Sequence, residues 1–448
     1  MTLAADLLYS DTERRLASAL ADLLSSRAAV TDVLARTEKP ETYDTDLWRT
    51  VAADIGLAGL LIPEALGGAG ASYRELATAA EQFGAFAAPI PYLGSAAVAT
   101  AVLLSAARSS AASPAAPAAS PPRTAPGAPG APVAPGAAAF GAPAAARTEP
   151  AAASRVAPVS PAAELLRRMA DGGLTAALAV EFAARPGLTG GTEGHPPASQ
   201  QSPPFPAAVR VAGPGDLAAG TIRLRGTIPA VADALPADVL LVPAEGVPNG
   251  VYLVEATAPG VHRTPVVSLD MTRQLCDISL DDAPARQVVA SAAAEAAVEA
   301  GLTAGAAVLA AEQLGLAQRC LDMTVGYVKE RRQFARPIGS FQALKHRLAD
   351  VWTMITQARA ASRYAAACLA DGDPDAPVAV ALAKSACCEA AVTAAQECVQ
   401  LHGGIGFTWE HPAHLYLKRA KAASVGFGTP GAHLAALAGL VNLPAPES

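Results

Sequence analysis

A cation-rich segment between two predicted helices carries the side chains best suited to grip a phosphate group. It contains Arg331, Arg332 and Arg336 around Phe334. Guanidinium groups bind phosphate through paired hydrogen bonds, and an aromatic ring beside them offers a packing surface. The segment therefore suits a nucleotide. The same charges are also typical of a solvated helix end, so the segment alone does not decide between the two interpretations.

Two helices must position these arginines. Apolar residues recur upstream with helical spacing, and this helix must stop where Pro337 and Gly339 interrupt it. Ser340 is then expected to cap a second helix that begins at Phe341. We call residues 331–340 between the helices the arginine elbow.

A glycine-rich segment follows a later predicted helix, at residues 400–407, and we call it the glycine loop. Glycines after a helix let backbone amides approach a nucleotide closely, which side chains would prevent. The segment is not a Rossmann fingerprint, because no predicted strand precedes it and no helix opens at its last glycine.

Three segments together resemble the signatures of the flavin-dependent acyl-CoA dehydrogenases. The first is Glu330-Arg331-x-Gln333-Phe334-x-x-Pro337-Ile338-x-x-Phe341-Gln342, and the second is Gln400-Leu401-His402-Gly403-Gly404-Ile405-Gly406. The third runs from Trp48 to Gly70 and contains Pro63-Glu64 before Gly67-Gly68-x-Gly70. The resemblance covers nearly the whole chain apart from two low-complexity stretches. It implies an α+β fold with an N-terminal helical domain, a middle antiparallel β domain and a C-terminal four-helix bundle.

The resemblance also implies roles for six residues. In that family the elbow reaches across a subunit interface to the ADP half of the neighbour's FAD, which would involve Arg331, Phe334 and Gln342 here. Contacts to the adenine and pyrophosphate side of FAD would come from Gln400, Gly403 and Gly404. Ala335 stands where the family usually has glycine, which tightens the backbone without removing a ligand group.

Histidines around the glycine loop allow a metal-binding interpretation as well. His411 and His414 can share one helical face, with His402 a loop away and Glu410 nearby. Bacterial members of the family often carry the same His-Gly-Gly and Trp-Glu-His motifs without binding a metal. We therefore expect no metal here.

The reaction of that family requires a carboxylate that removes the α-proton of an acyl thioester. Many members place this glutamate about two dozen residues after the glycine pair, where this chain has Phe427. Another branch places it on the helix before the elbow, where this chain has Gly305. Neither residue accepts a proton. Glu312, two turns further along that helix, is a weak candidate for a displaced base and otherwise a local polar contact.

The middle of the chain predicts a sheet. Short β-rich segments bounded by Gly, Pro or Asp occupy residues 221–225, 239–243, 251–254 and 276–280. The family holds its flavin ring there with a Thr-Glu-Pro phrase and a Trp-Ile-Ser/Thr phrase. In their places stand Leu178-Ala179-Val180-Glu181-Phe182 and residues 226–233, which contain no tryptophan. We therefore expect that this chain's own sheet does not bind the flavin.

The 448 residues divide into four predicted parts: 1–104 helical, 105–161 an Ala/Pro-rich disordered insertion, 162–285 the β domain and 286–448 helical. The β domain includes a low-complexity piece at 187–205. The insertion is expected to lie outside the functional site; the alternative is that it docks a partner. In the C-terminal part we predict four helices, at residues 293–329, 341–371, 377–401 and 412–423.

Composition narrows the function further. A net charge of -7 argues against a nucleic-acid surface, and 52% hydrophobic content favours a large core. No uninterrupted apolar run of about 18 residues and no signal-peptide pattern occur, so we predict a cytoplasmic protein without a membrane span. The six cysteines lack a C-x-x-C pair and are expected to be buried thiols. They are Cys276, Cys320, Cys368, Cys387, Cys388 and Cys398.

These features together predict a subunit of a heteromer. Some bacterial members of the family that this chain resembles form α2β2 assemblies. In these, one chain supplies the base and the flavin-facing sheet, and the other supplies the elbow. This chain would be the second kind, acting with a homologous partner on an acyl-CoA or acyl-carrier thioester. The alternatives are a tailoring enzyme of the same fold, which works without flavin in secondary metabolism, and a non-enzymatic scaffold.

Overall fold

The computed structural model describes residues 7–112, 160–187, 209–214, 221–246 and 248–443. Most of the predicted insertion and of the low-complexity piece lies outside these ranges. The described chain has the predicted α+β architecture, with helices at both ends and one sheet between them.

The N-terminal helices are α1 (Asp11–Arg27), α2 (Val30–Thr37), α3 (Thr45–Arg49), α4 (Tyr73–Ala85), α5 (Thr100–Ala112) and α6 (Pro161–Ala170). A π-helical stretch extends α3 to Asp54, and Leu93–Ala99 forms another before α5. Helix α1 ends at a buried Ala28, although no Gly or Pro marks the break before α2. Gly56 lies in the left-handed region and ends the third helical segment, which is a common role of glycine.

Two predicted domain limits differ from the element boundaries. Helix α5 continues through Ser105 to Ala112, so the insertion cannot begin before residue 113. Helix α6 was assigned to the β domain, yet Leu165, Leu166 and Met169 pack into the core shared by the helices. The sheet region therefore begins after α6.

The sheet contains seven described strands. They are β1 (Ala176–Leu178), β2 (Val209–Pro214), β3 (Ile222–Ala232), β4 (Val239–Ala244), β5 (Gly250–Glu255), β6 (Val261–Val266) and β7 (Leu275–Ala290). Their order is β1-β4-β5-β7-β3-β2, and β6 also pairs with β7. The pairs are antiparallel except β1 with β4, which is parallel, so the sheet is mixed where the sequence predicted an antiparallel one. Strand β7 continues to Ala290, which moves the start of the C-terminal helices from residue 286 to 291.

Each face of the sheet contributes to a different core. In β4, Val239 and Leu241 pack into the large core that joins the N- and C-terminal helices. Leu240 and Val242 point to the other face, into a smaller core with Ile278 of β7. This alternation follows from the two-residue period of a strand. Because the large core covers one face of the sheet, that face is held against both sets of helices.

The C-terminal region contains α7 (Ser291–Glu330), α8 (Gln342–Asp371), α9 (Ala376–His402), α10 (Ala413–Ala423) and α11 (Pro430–Leu440). The four predicted helices are present, and α11 is an additional apolar helix that packs on α9. All six cysteines are buried free thiols, and only Cys276 lies in a strand, as predicted.

Two helical stretches have the length and hydropathy of a membrane span. They are Ser291–Glu330 and Ala376–Phe407, with mean hydropathies of 1.3 and 1.5 in their most apolar windows. However, 61% and 67% of these windows are buried within the fold. Their apolar character is accounted for by the core that they form.

A buried ion network ties the first helix to the C-terminal bundle. Arg363 of α8 is fully buried and donates to the Glu13 carboxylate of α1 at 2.6 Å. Arg74 of α4 donates to the other Glu13 oxygen at 2.8 Å. Because both carboxylate oxygens are engaged by guanidinium groups, Glu13 joins α1, α4 and α8 at one point.

Candidate functional site

The arginine elbow folds as a tight β-hairpin. Two short strands, β8 (Arg332–Gln333) and β9 (Arg336–Pro337), pair in antiparallel register. Phe334 and Ala335 connect them with φ angles of 49° and 62°. Positive φ at both central residues defines a type I′ turn, which Asn and Gly favour. A phenylalanine and an alanine adopt this conformation at an energetic cost.

Aromatic and cationic side chains stack around this turn. The Arg336 guanidinium lies 3.9 Å from the centroid of the Phe341 ring, and the Phe334 ring meets the edge of Phe341 at 6.0 Å. Ser340 does not cap α8 as predicted, because its hydroxyl donates to the Pro337 carbonyl at 2.7 Å. Phe341 is the N-cap residue instead, without a side-chain cap.

The elbow presents its cations to solvent. Phe334 is 85% exposed, and Arg331 and Gln342 are also exposed. In the described part of the chain, no carboxylate pairs with Arg331, Arg332 or Arg336. Unpaired guanidinium groups beside an exposed ring are the donor set that an anionic, aromatic ligand requires.

The glycine loop is equally open. Gln400, Gly403 and Gly404 are exposed, and a Cβ placed on either glycine would meet no atom within 4 Å. Gly403 has φ 63° and ψ -139°, which only glycine adopts readily. Space in front of these two residues is therefore available for another molecule.

The structure brings elbow and loop to the same end of the bundle. Tyr327, in the last turn of α7 before the elbow, stacks on His402 at a ring distance of 4.4 Å. Arg347 of α8 pairs with Glu397 of α9 at 2.7 Å. The end of α7 and the start of α8 thus lie beside the end of α9, and we call the six exposed residues expected to contact a nucleotide the nucleotide surface.

The histidines near the loop are arranged by ring stacking. The rings of His402 and His411 lie 4.3 Å apart, and His414 meets the edge of Trp409 at 4.8 Å. Among the described residues, no group of three or more His, Cys, Asp or Glu side chains is placed to hold a metal ion.

The two positions considered for the missing base face each other. A Cβ on Gly305 would lie 2.7 Å from the Phe427 ring, so the phenylalanine occupies the space that a side chain at 305 would need. Phe427 is buried with φ 51°, and the His433 ring donates to its carbonyl oxygen at 2.8 Å. A side chain at residue 305 therefore has no room while Phe427 is present.

Phe182 completes the filling of this region. Its ring contacts that of Phe427 edge to face at 5.7 Å, and its carbonyl accepts from the Phe427 amide at 2.8 Å. The cavity left between these rings, Leu93, Leu178 and Val180 measures about 20 Å³. This is room for about one water molecule. We call this region the filled cavity.

Glu312 is poorly suited to be a displaced base. Its oxygens accept from Arg273 at 2.5 Å and from Arg419 at 3.0 Å, and all three side chains are buried. Burial opposes ionisation of Glu312, but the two arginines outweigh it and lower the pKa to about 2. A carboxylate held in this way stabilises the fold and does not readily take up a proton.

Asp233 lines the filled cavity, and the sequence did not single it out as a site residue. Tyr43 donates to one of its oxygens at 2.6 Å, and the Gly94 amide donates to the other at 2.7 Å. Burial raises the pKa of Asp233, and Arg273 and the two hydrogen bonds offset only part of this effect. Because both of its oxygens accept hydrogen bonds, Asp233 holds the loop before α3 and the π-helical stretch Leu93–Ala99 against the sheet.

Comparisons with known proteins agree with this architecture. The model of the acyl-CoA dehydrogenase N-terminal domain matches residues 10–110, and that of the C-terminal domain matches residues 295–439. The acyl-CoA dehydrogenase IpdE2 of Mycobacterium tuberculosis is 30% identical over 415 residues, which is 92% of each chain.

Two solved structures are similar at 25% identity. The ChsE4-ChsE5 complex from Mycobacterium tuberculosis gives a TM-score of 0.71, covering 98% of this chain and 100% of that chain. A variant of the Tcur3481-Tcur3483 steroid ACAD gives 0.70, covering 96% of this chain and 98% of that chain. Both are described as pairs of different proteins.

Proposed function

Because the chain belongs to the acyl-CoA dehydrogenase family, we propose that it is the non-catalytic subunit of a heteromeric acyl-CoA dehydrogenase. It holds the nucleotide end of an FAD whose flavin ring rests on a homologous partner subunit. The partner supplies the base that removes the α-proton of an acyl thioester.

The filled cavity is the observation that carries this proposal. Ligand sites of drug size occupy roughly 300 to 1,000 Å³, more than ten times the space left between Phe182 and Phe427. Opening it would displace two buried rings and expose Gly426, where an added Cβ would lie 2.3 Å from Phe182. A flavin ring or an acyl chain therefore does not fit in this chain's own central site.

The available carboxylates support the same conclusion. Glu312 is held by two arginines, and both Asp233 oxygens accept hydrogen bonds. The residues at the two usual base positions are Phe427 and Gly305. None of these described residues is free to remove the proton of the thioester, and we therefore assign this step to the partner chain.

The nucleotide surface fits the ADP half of FAD. Arg331 offers a guanidinium for the pyrophosphate, Phe334 offers an exposed ring, and Gly403 and Gly404 leave their amides accessible. Gln342 and Gln400 are exposed at the edges of this surface. When bound, FAD supplies the acceptor for the hydride that leaves the thioester.

The relatives support a heteromer and a substrate class. The ChsE4-ChsE5 and Tcur3481-Tcur3483 structures are both complexes of two different proteins, and the second is a steroid ACAD. We extend this to the present chain and propose an acyl thioester borne on a steroid-derived ring system.

Co-expression with homologous acyl-CoA dehydrogenase subunits tests the proposal. The purified chain alone is expected to be colourless and inactive, while the complex with its partner has the native mass of a heterotetramer and absorbs as a flavoprotein. A chain that binds FAD in equimolar amount and oxidises acyl-CoA without a partner would overturn the proposal.

The same preparation separates the two alternatives. A complex that is active but free of flavin would indicate a tailoring enzyme. A complex without flavin or activity would indicate a scaffold.

A further inference from the structure

We infer that His402 is a positioning residue that holds the glycine loop in the conformation that receives the pyrophosphate of FAD. The inference rests on the proposed function and deepens it. It is carried by the packing of His402 between three elements, by the conformation of the loop that follows, and by the direction of the α9 dipole.

His402 is the last residue of α9 and is 3% exposed, although the loop after it is exposed. Its ring lies between two others, Tyr327 of α7 at 4.4 Å and His411 before α10 at 4.3 Å. An imidazole enclosed in this way fixes the point at which the glycine loop leaves the helix.

A hydrogen bond sets the orientation of the ring. Nδ1 of His402 lies 2.7 Å from the Cys398 carbonyl oxygen, which can only accept, so Nδ1 carries a proton. The Cys398 sulfur lies 3.7 Å from the same nitrogen. The ring is therefore held on its own helix one turn back.

The glycine loop folds directly against this anchor. An added Cβ on Gly406 would lie 2.9 Å from the His402 Cβ and 2.6 Å from the Val399 carbonyl oxygen. With Gly406 packed inward and Gly403 in a conformation that only glycine favours, Gly403 and Gly404 are displayed outward. A shift of the His402 ring would therefore also shift the backbone of Gly403 and Gly404.

The charge on His402 also bears on the ligand. The glycine loop follows the carboxyl end of α9, where the helix dipole is negative and repels a pyrophosphate. An imidazolium at the last residue offsets this repulsion. A thiolate at Cys398, one turn earlier, would place its negative charge further from the loop than the imidazolium.

The surrounding groups favour this charge state. Interactions with Cys320 of α7, with His402 itself and with Thr324 of α7 outweigh burial and lower the pKa of the Cys398 thiol to about 5. Burial lowers the pKa of His402, but the contacts with Cys398 outweigh it and raise the pKa above its ordinary value. Among the described residues, the cluster also faces Tyr327 and His411, and Arg319 and Tyr416 act on its cysteines; His414 acts on His411. The imidazolium is therefore lost at a higher pH than that of an ordinary histidine, as the pH rises through this raised pKa.

Titration of the reconstituted heteromer with FAD tests the inference, using flavin fluorescence at pH 6 and pH 9. In the wild type we expect affinity to fall about tenfold between these values, the equivalent of one lost charge contact. His402→Ala should weaken binding at both values by about tenfold or more. His402→Asn keeps a donor for the Cys398 carbonyl but cannot titrate, so its affinity should be weaker than wild type at pH 6 and independent of pH.

His262→Asn is the matched control, because His262 is exposed on strand β6 in the sheet. It should bind FAD like the wild type at both pH values. Wild-type affinity in His402→Ala, or an unchanged pH dependence in His402→Asn, would overturn this inference alone. If His402→Ala fails to assemble, the pH profile of His402→Asn still decides. A wild-type heteromer that takes up no FAD would overturn the proposed function as well.

Discussion

The filled cavity and the nucleotide surface each contain a phenylalanine with a left-handed backbone, but one ring is buried and the other is exposed. Phe427 is 5% exposed, with a left-handed backbone, and fills space inside the protein. Phe334 is 85% exposed, also with a left-handed backbone, and leaves its ring free in solvent. The Phe427 ring therefore fills an interior space, whereas the Phe334 ring is accessible to another molecule.

This difference shows that the interior and the surface place different constraints on the same residue type. The nucleotide surface uses side chains at a bundle end that contribute little to the core. The filled cavity lies where the sheet meets the helices, so any residue there is also a core residue. A substitution in the filled cavity therefore disturbs close packing, whereas a substitution on the exposed surface does not.

The largest effect is expected from truncating the buried ring. Phe427→Ala should lower the free energy of unfolding by about 3 to 5 kcal/mol, because it leaves a cavity against Phe182 and Gly305. Urea denaturation measures this change. Phe334→Ala is the matched control and should stay within about 0.5 kcal/mol of the wild type. Equal costs at the two positions would remove the distinction between a filled and an open region.

A second effect concerns the pH dependence of stability. The folded pKa of Glu312, about 2, is below its ordinary 4.5, so its contribution is present above pH 4.5 and is lost as the pH falls toward 2. The shift corresponds to roughly 3 kcal/mol. Glu312→Gln should be less stable than the wild type at pH 7, and the difference should shrink toward pH 2. Chemical denaturation across this range measures it. An identical pH profile in the variant would show that the Arg273 and Arg419 pairs do not stabilise the folded state.

A third effect should appear only in the heteromer. Arg331→Ala should weaken FAD binding roughly 10- to 100-fold, the loss expected for hydrogen bonds to a charged group. Its unfolding free energy should not change, because Arg331 is exposed. Arg332→Ala offers a control of the same charge one residue away. Equal losses from both variants would mean that net charge, and not the position of Arg331, attracts the cofactor.

The smallest effect is expected in the hairpin turn. Ala335→Gly should stabilise the protein by up to about 1 kcal/mol, because φ 62° is costly for alanine and not for glycine. Differential scanning calorimetry at high precision can detect such a change. A loss of stability would contradict the left-handed conformation of Ala335.

Much of the fold could be predicted from the sequence because helix periodicity and strand composition are local. The four long C-terminal helices and four of the strands were placed in this way. Strand β6 was missed because Val261–Val266 is a polar edge strand containing Pro265. The parallel pairing of β1 with β4 was also missed, because a three-residue strand carries no sign of its direction. Helix α11 has no polar face, and its periodicity is therefore weak.

The site was predictable where residues act through their own chemistry. The sequence alone shows that Phe427 and Gly305 are not carboxylates and that the elbow carries a cluster of cations. That these two positions face each other, and that Phe182 closes the space between them, depends on contacts across more than a hundred residues. The one available signal was the aromatic Phe182 in the segment that stands in place of the family's Thr-Glu-Pro sequence. The hydrogen bonds of Asp233 had no such signal.

The junction at Glu13 has a consequence for limited proteolysis. A protease that removed α1 would leave the Arg363 guanidinium deep in the bundle without its counter-charge. An unpaired buried cation costs several kcal/mol, so the remaining fragment would lose much of its stability. The amino-terminal helix is therefore part of the cooperative folding unit of the bundle, although more than three hundred residues separate the two in the chain.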